Sequence, residues 1–500
     1  MRENELPQSK PDGFASSLGE GASGVPANLA LTPETANPSG EKVVQKRPQA
    51  FLNHKYKNIF PLNMARAQAE VIPNRPAPAL QSFSRNDTIG HRKIPCRRGL
   101  FRRSGHRKKE ANHMSMNTVP KRLAALRAAM AANGVAVYLI PVGDPHASEY
   151  LPCHYTSLTW FSGFHGENSN FVVTRTESAL WADGRYFVQA EKEIAGTEIK
   201  LQRMGEPGVP TVEEYCANAL NEGEALGLCG LTASTALVND LKKALEKKGA
   251  SIKTLDLEDE LWTEGRPALP DTPAWILPKE YAGFSPAEKL DQLRSKLKEL
   301  GCTAQFVGKL DNLAWLLNLR AMDIECTPYA MAYCYVTPRR AVLFINTARV
   351  TPEAKAELEA NGITLAEYDD VLKFLAAETE PQTVLAECAT VNYAVYQVLE
   401  QNPALTVKDG TDPLLMMKGV KNETELAHTK QAHTRDAVAM VRFQIEMESR
   451  LAAGETLTEL TVDEILHKYR SADDKFLVES FGTIAAYGGN AAMMHYHATP

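Results

Sequence analysis

PKRLAALRAAMAANGVAVYLI, residues 120–140, carries the reading of the fold, because its pattern returns at 287–307 as AEKLDQLRSKLKELGCTAQFV. In the first copy Leu123, Leu126 and Met130 recur at helical spacing. Gly134 follows where a left-handed residue ends a helix, and Val135–Ile140 reads as a buried strand. In the second copy Leu290, Leu293 and Leu297 mark the helix, Gly301 ends it, and Thr303–Val307 is the strand. The offset is 167 residues throughout, and Arg127 matches Arg294.

The echo continues outward. Each copy is followed by a tryptophan segment, Trp160–Phe164 and Trp315–Leu319. Each then shows strand, turn and strand: Phe171–Thr174 with Ala179–Trp181, and Tyr333–Thr337 with Ala341–Ile345. Self-similarity at one fixed offset implies a tandem duplicated α/β domain, and two copies are too few for a solenoid. A Pro-rich stretch, Arg266–Pro278, reads as the linker between them. A second boundary falls near Lys408–Lys418. Beyond it, Asn422 with Glu425 forms a capping box that opens a helix, and Thr461 with Glu464 a second. Phe481–Asn490 reads as a strand and a glycine turn.

The 500 residues allow about three domains. The apolar and charged fractions are those of soluble globular protein, and a net charge of -6 by itself calls for neither nucleic acid nor membrane. The eight cysteines are scattered, with no CxxC pair. Apolar runs fall far short of the roughly 20 residues a membrane span needs, and no secretory pattern opens the chain. A reduced, cytoplasmic protein is the simplest reading. Residues 1–113 differ from the rest: rich in Pro, Ser, Asn and Gly, with a basic run from Arg92 to Lys109. They read as a disordered basic extension. It is either a tail that binds nucleic acid or directs targeting, or a stretch upstream of a start at Met114 or Met116.

No pattern for a serine nucleophile, a phosphate loop or a dinucleotide fold is present. His146, Cys153, His154 and His165 lack paired zinc spacing and read as loop and packing residues. Asp409-Gly410-Thr411-Asp412 reads as a turn in the second linker, and no metal ligand is assigned. His495 and His497, two apart beside Ala491–Met494, would share one face of a strand. Their local sequence leaves a proton-relaying role and an ordinary structural one equally open.

Several stretches, in order, resemble the aminopeptidase P family. They are Asp144–Pro152, Trp160–Phe164, Asp183–Ala190, Met204–Thr211, Leu313–Arg320 and Lys421–Glu425. The resemblance runs from about Pro120 to Pro500 and implies an α/β (α+β) chain. Two creatinase-like N-terminal domains, 116–265 and 279–410, would precede the start of a pita-bread metallopeptidase domain at 414–500. It further implies removal of an N-terminal residue when proline is next, by two divalent ions, typically manganese, in a cytoplasmic homodimer. His495 matches a family histidine that contacts substrate near the scissile bond and is the candidate catalytic and substrate-binding residue. Arg185 matches an arginine reaching toward the same region, with an interdomain salt bridge as its alternative. The family's five metal ligands would lie beyond Pro500, so this chain by itself is expected to hold no metal pair and to be inactive. A non-catalytic relative that dimerises or binds peptides is the alternative. The chain departs from the family at His165-Gly166-Glu167-Asn168-Ser169-Asn170, where a threonine and small residues are usual.

Overall fold

The computed structural model describes residues 118–499. The readings of residues 1–113, of Arg92–Lys109 and of a start at Met114 or Met116 lie outside the described residues.

The duplicated text folds as duplicated structure. The Val119–Ala132 helix buries Leu123, Leu126 and Met130, and Gly134 turns the chain at φ +64° into β1, Val137–Pro141. Its echo, the Pro286–Glu299 helix, starts on a Ser285–Glu288 capping box and buries Leu290, Leu293 and Leu297. Gly301, at φ +67°, follows it.

The other strands of the first sheet are β2 (Asn170–Thr174), β3 (Ser178–Ala182), β4 (Ile199–Arg203), β5 (Ala225–Leu228) and β6 (Ser251–Thr254). Then come β7 (Trp275–Ile276), β8 (Ala304–Val307), β9 (Leu319–Arg320), β10 (Tyr333–Val336), β11 (Ala341–Phe344), β12 (Ile363–Ala366), β13 (Gln382–Leu385) and β14 (Leu405–Lys408). The first sheet runs β4-β3-β2-β1-β5-β6 and the second β12-β11-β10-β8-β13-β14. Every pairing keeps its sense: β1–β2 and β8–β10 are antiparallel, β1–β5 and β13–β8 parallel. Arg127 and Arg294 repeat one another too. Each donates Nε–H at 3.0 Å to a hairpin threonine carbonyl, Thr174 and Thr337 respectively.

The central strands of each sheet are covered on both faces, which is why they read as unbroken apolar runs. In the first sheet Tyr138, Ile140, Phe171 and Val173 point into one core, and Val137, Leu139, Val172 and Trp181 into the other. In the second, Val307, Cys334, Val336 and Leu343 oppose Phe306, Tyr333, Tyr335 and Phe344.

The two sheets meet through a pseudo-twofold seam. Thr235 N–H donates to Val391 O at 3.0 Å, and Tyr393 N–H to Ala233 O at 2.9 Å. Ala236 N–H donates to Cys388 O at 2.8 Å, and Ala394 N–H to Gly230 O at 2.9 Å. Ser234 and Asn392, which cap equivalent helices, pair as an antiparallel bridge at the centre.

Three local expectations are corrected. Trp275–Ile276, inside the stretch read as a bare linker, pairs as β7 with β9. The second box helix starts one turn early, at Glu459, because the Thr458 hydroxyl accepts the N–H of Thr461. Residues 481–499 contain no strand, only a 3-10 turn at Gly488–Ala492, so His495 and His497 do not sit on a strand face. An extended run needs a neighbouring ladder, and none is offered to it among the described residues. Asn422 and Glu425 do form the expected box, opening the helix Glu423–Ala452.

Candidate functional site

Arg185 stands just after β3, in the turn that leads into the Phe187–Glu193 helix. Asp183 grips it: Arg185 Nε donates to Asp183 Oδ1 at 3.0 Å and Nη2 to Oδ2 at 2.7 Å. The guanidinium holds the Asp183 carboxyl down to about 2. This ion pair lies within the first domain.

The chain then returns, 310 positions later, to place His495 beside it. Arg185 Nη1 lies 3.4 Å from His495 Nε2, and the His495 ring stacks on Tyr186 at 5.2 Å and 25°. Arginine only donates, so this long contact makes Nε2 the acceptor and puts the ring proton on Nδ1. Tyr186 donates its hydroxyl to Glu167 Oε2 at 3.1 Å, and Asn168 Nδ2 donates to Asp183 Oδ2 at 2.8 Å. The two site residues singled out in the sequence are therefore adjacent. The arrangement offers an oxygen-bearing ligand a guanidinium and an imidazole together, both of them fixed from behind.

The four His and Cys residues of the first domain do not converge. Cys153 is exposed, His154 Nδ1 bonds Pro267 O at 2.7 Å, and His165 Nδ1 lies 3.5 Å from Glu193. His146 is fully buried against the second domain. Its Nδ1 lies 2.8 Å from Gly308 O and its Nε2 2.8 Å from the Tyr368 hydroxyl. A carbonyl only accepts, so Nδ1 carries the proton and Nε2 accepts from Tyr368. Burial lowers the His146 pKa, outweighing the nearby Asp144. Below about 6.5 the unfolded chain takes up a proton that the folded one refuses, so stability is lost as pH falls. Lowering pH to about 5.5 is expected to destabilise the fold through this ring. Urea midpoints at neutral and acid pH, compared between the native chain and His146→Gln, check it. Equal pH slopes in the two would refute the assignment.

Asp409-Gly410-Thr411-Asp412, read as a turn, is the loop leaving β14. Buried Asp412 caps the Pro413–Gly419 helix and accepts from Asn312 at 2.7 Å. One donor triplet went unseen in the sequence. The side chains of Cys229, Asp256 and Glu258 place ligand atoms within 4.8 Å of one another, just past the ends of β5 and β6. They are already engaged: Cys229 Sγ lies 3.4 Å from Asp256 Oδ2, Asp256 accepts Asp259 N–H at 2.9 Å, and the Tyr138 hydroxyl lies 3.4 Å from Glu258. Burial, reinforced by Asp256, pushes Glu258 up to about 8 and raises the Cys229 thiol as well. A divalent ion would have to displace both protons and break these hydrogen bonds to bind the set. Among the described residues no other group of three His, Cys, Asp or Glu side chains converges. Among the described residues this single triplet offers too few ligands to hold the pair of ions that the resemblance implies.

Comparison with known proteins bears on the whole. The creatinase/prolidase N-terminal domain family matches residues 122–262 and, separately, 265–425. Aminopeptidase P2 of Arabidopsis thaliana is 33% identical over 414 residues, covering 76% of this chain and 58% of that protein. A probable Xaa-Pro aminopeptidase P of Sordaria macrospora is 34% identical over 398 residues, covering 77% of this chain and 64% of its own. This chain belongs to the creatinase/prolidase N-terminal domain family, with two such domains in tandem. A crystal structure from Caenorhabditis elegans agrees: an X-prolyl aminopeptidase, described as a cytosolic enzyme with a di-nuclear active site. It superposes with a TM-score of 0.71 at 31% identity, over 77% of this chain and 64% of that one. The family member described here therefore spans 58% and 64% of the length of the two curated relatives. No helix among its described residues is long and apolar enough to cross a membrane.

Proposed function

We propose that the protein to which this chain belongs is a proline-directed aminopeptidase, and that this chain supplies the Arg185–His495 wall of its substrate cleft. The observation that carries the reading is the meeting of these two side chains at 3.4 Å across 310 residues of sequence. In this role Arg185 anchors a peptide carbonyl or carboxylate oxygen through its charged fork. His495, its proton on Nδ1, orients the bond next to proline. The reading carries with it a peptide substrate with proline second, manganese as the ion to test first, a homodimer and a cytoplasmic setting.

Peptides that differ only in proline or alanine at the second position test it, with and without added manganese, by calorimetric binding and by cleavage. The proline peptide is expected to bind preferentially. Arg185→Met should weaken that binding on the order of tenfold to a hundredfold through loss of charge-assisted hydrogen bonds. Equal binding of both peptides would refute the reading. A stable dimer that binds the proline peptide but never cleaves it would favour a non-catalytic relative.

A further inference from the structure

The loop 165–170, where the sequence departs from the family's usual residues, has a structural consequence. Gly166 lies flat against two rings: a Cβ there would meet Phe164 Cζ at 2.2 Å and Tyr186 Cδ1 at 2.9 Å. Only a residue without a side chain lets the loop lie this close. The next two residues are thereby delivered behind the candidate site. Glu167 accepts the Tyr186 hydroxyl at 3.1 Å, and Asn168, at φ +48°, donates its side-chain N–H to Asp183 at 2.8 Å. Tyr186 is buried, with Phe164 meeting it edge to face at 6.1 Å and 90°. Its other neighbours are the His495 ring, stacked at 25°, and the Arg185 guanidinium, 5.3 Å from the ring centroid.

Resting on the reading that Arg185 and His495 face a peptide, we propose that Tyr186 and Glu167 are positioning residues that set the plane of the His495 imidazole beside Arg185. An imidazole on an irregular segment has no backbone ladder to hold its plane. Here a ring fixed at its hydroxyl by Glu167 and at its edge by Phe164 does so. Burial keeps the Tyr186 phenol protonated, pushed up to about 12, so it remains the donor to Glu167. Asn168 and Asp183 hold the guanidinium in the same way, so one loop registers both groups.

Histidine labelled with carbon-13 at Cε1 gives the direct readout, with the His495 signal identified by its loss in His495→Gln. In the native chain this signal should carry a ring-current displacement. Tyr186→Leu should abolish it, and Tyr186→Phe, which keeps the ring but frees it from Glu167, should retain the displacement with a broadened signal. Proline-peptide affinity should fall on the order of 3- to 10-fold in Tyr186→Leu and recover in part in Tyr186→Phe. If Tyr186→Leu does not fold, Glu167→Ala serves instead, with a broadened His495 signal and weaker affinity expected. An unmoved His495 signal, or equal impairment in the Leu and Phe variants, overturns the proposal. If the signal responds as stated but the native chain binds no proline peptide, the positioning role stands and the peptidase reading falls.

Discussion

Replacing Arg349 by methionine is expected to lower the unfolding free energy by about 3–5 kcal/mol. Arg349 and its ion-pair partner Asp323 are both buried, with side chains 4% and 0% exposed. Arg349 Nη2 also donates to Met331 O at 2.8 Å. Asp323 accepts the N–H of Met331 at 2.7 Å and the Thr272 hydroxyl at 2.5 Å. Arg349 also ties down the segment between the sheets, because its carbonyl accepts the N–H of Ala274 at 2.8 Å. Methionine fills similar volume but leaves the Asp323 charge in the core without its cation, and that lone charge is the cost. Adding Asp323→Asn to Arg349→Met should therefore restore most of the loss. Urea denaturation of the native chain, the single variant and the double variant decides it. A single-variant loss under about 1 kcal/mol, or no recovery in the double, would show that the pair does not hold this region.

Glu258→Gln is expected to act in the opposite direction. Glu258 is 2% exposed and lies beside the Asp256 charge, with the Tyr138 hydroxyl 3.4 Å from its carboxyl. Its folded pKa of about 8 lies above the ordinary value of 4.5. The unfolded chain therefore releases this proton from about pH 4.5 upward while the folded chain keeps it. Stability is full at low pH and is lost as pH rises toward 8. At pH 7 the penalty comes to about 3 kcal/mol. An amide keeps the shape and the acceptor for Tyr138 without the ionisation. The variant should gain about 2–3 kcal/mol at pH 7 and almost nothing at pH 4.5. Melting temperatures across that range check it; a gain independent of pH would mean that Glu258 is not the titrating group.

Much of the fold was legible because its signals are local. The leucine spacing before Gly134 and Gly301, and the unbroken apolar strands, follow from helices packed on both faces of each sheet. What was misread depends on distant partners. Trp275–Ile276 is too short to announce itself and is a strand only because Leu319–Arg320 lies alongside. Phe481–Asn490 has a strand's composition without a ladder to join. Thr458 and Thr461 both carry a capping hydroxyl, and the glutamate at 464 drew attention to the wrong one. At the site, Arg185 and His495 were picked out by family likeness, not by composition or spacing. Tyr186 and Glu167 were overlooked, although the unusual loop containing Glu167 was the available signal. Cys229, Asp256 and Glu258 were invisible because neighbouring parallel strand ends, not sequence spacing, bring them together.

The reciprocal bonds between Thr235 and Val391, and between Tyr393 and Ala233, have the character of an isologous contact, one patch matched to its own copy. Here both copies lie on one polypeptide, which raises their effective concentration to the millimolar range for a short tether. Attraction too feeble to join two separate molecules is then enough to close the pair. That self-complementary patch is also already occupied, so association with another molecule has to draw on a different part of the surface.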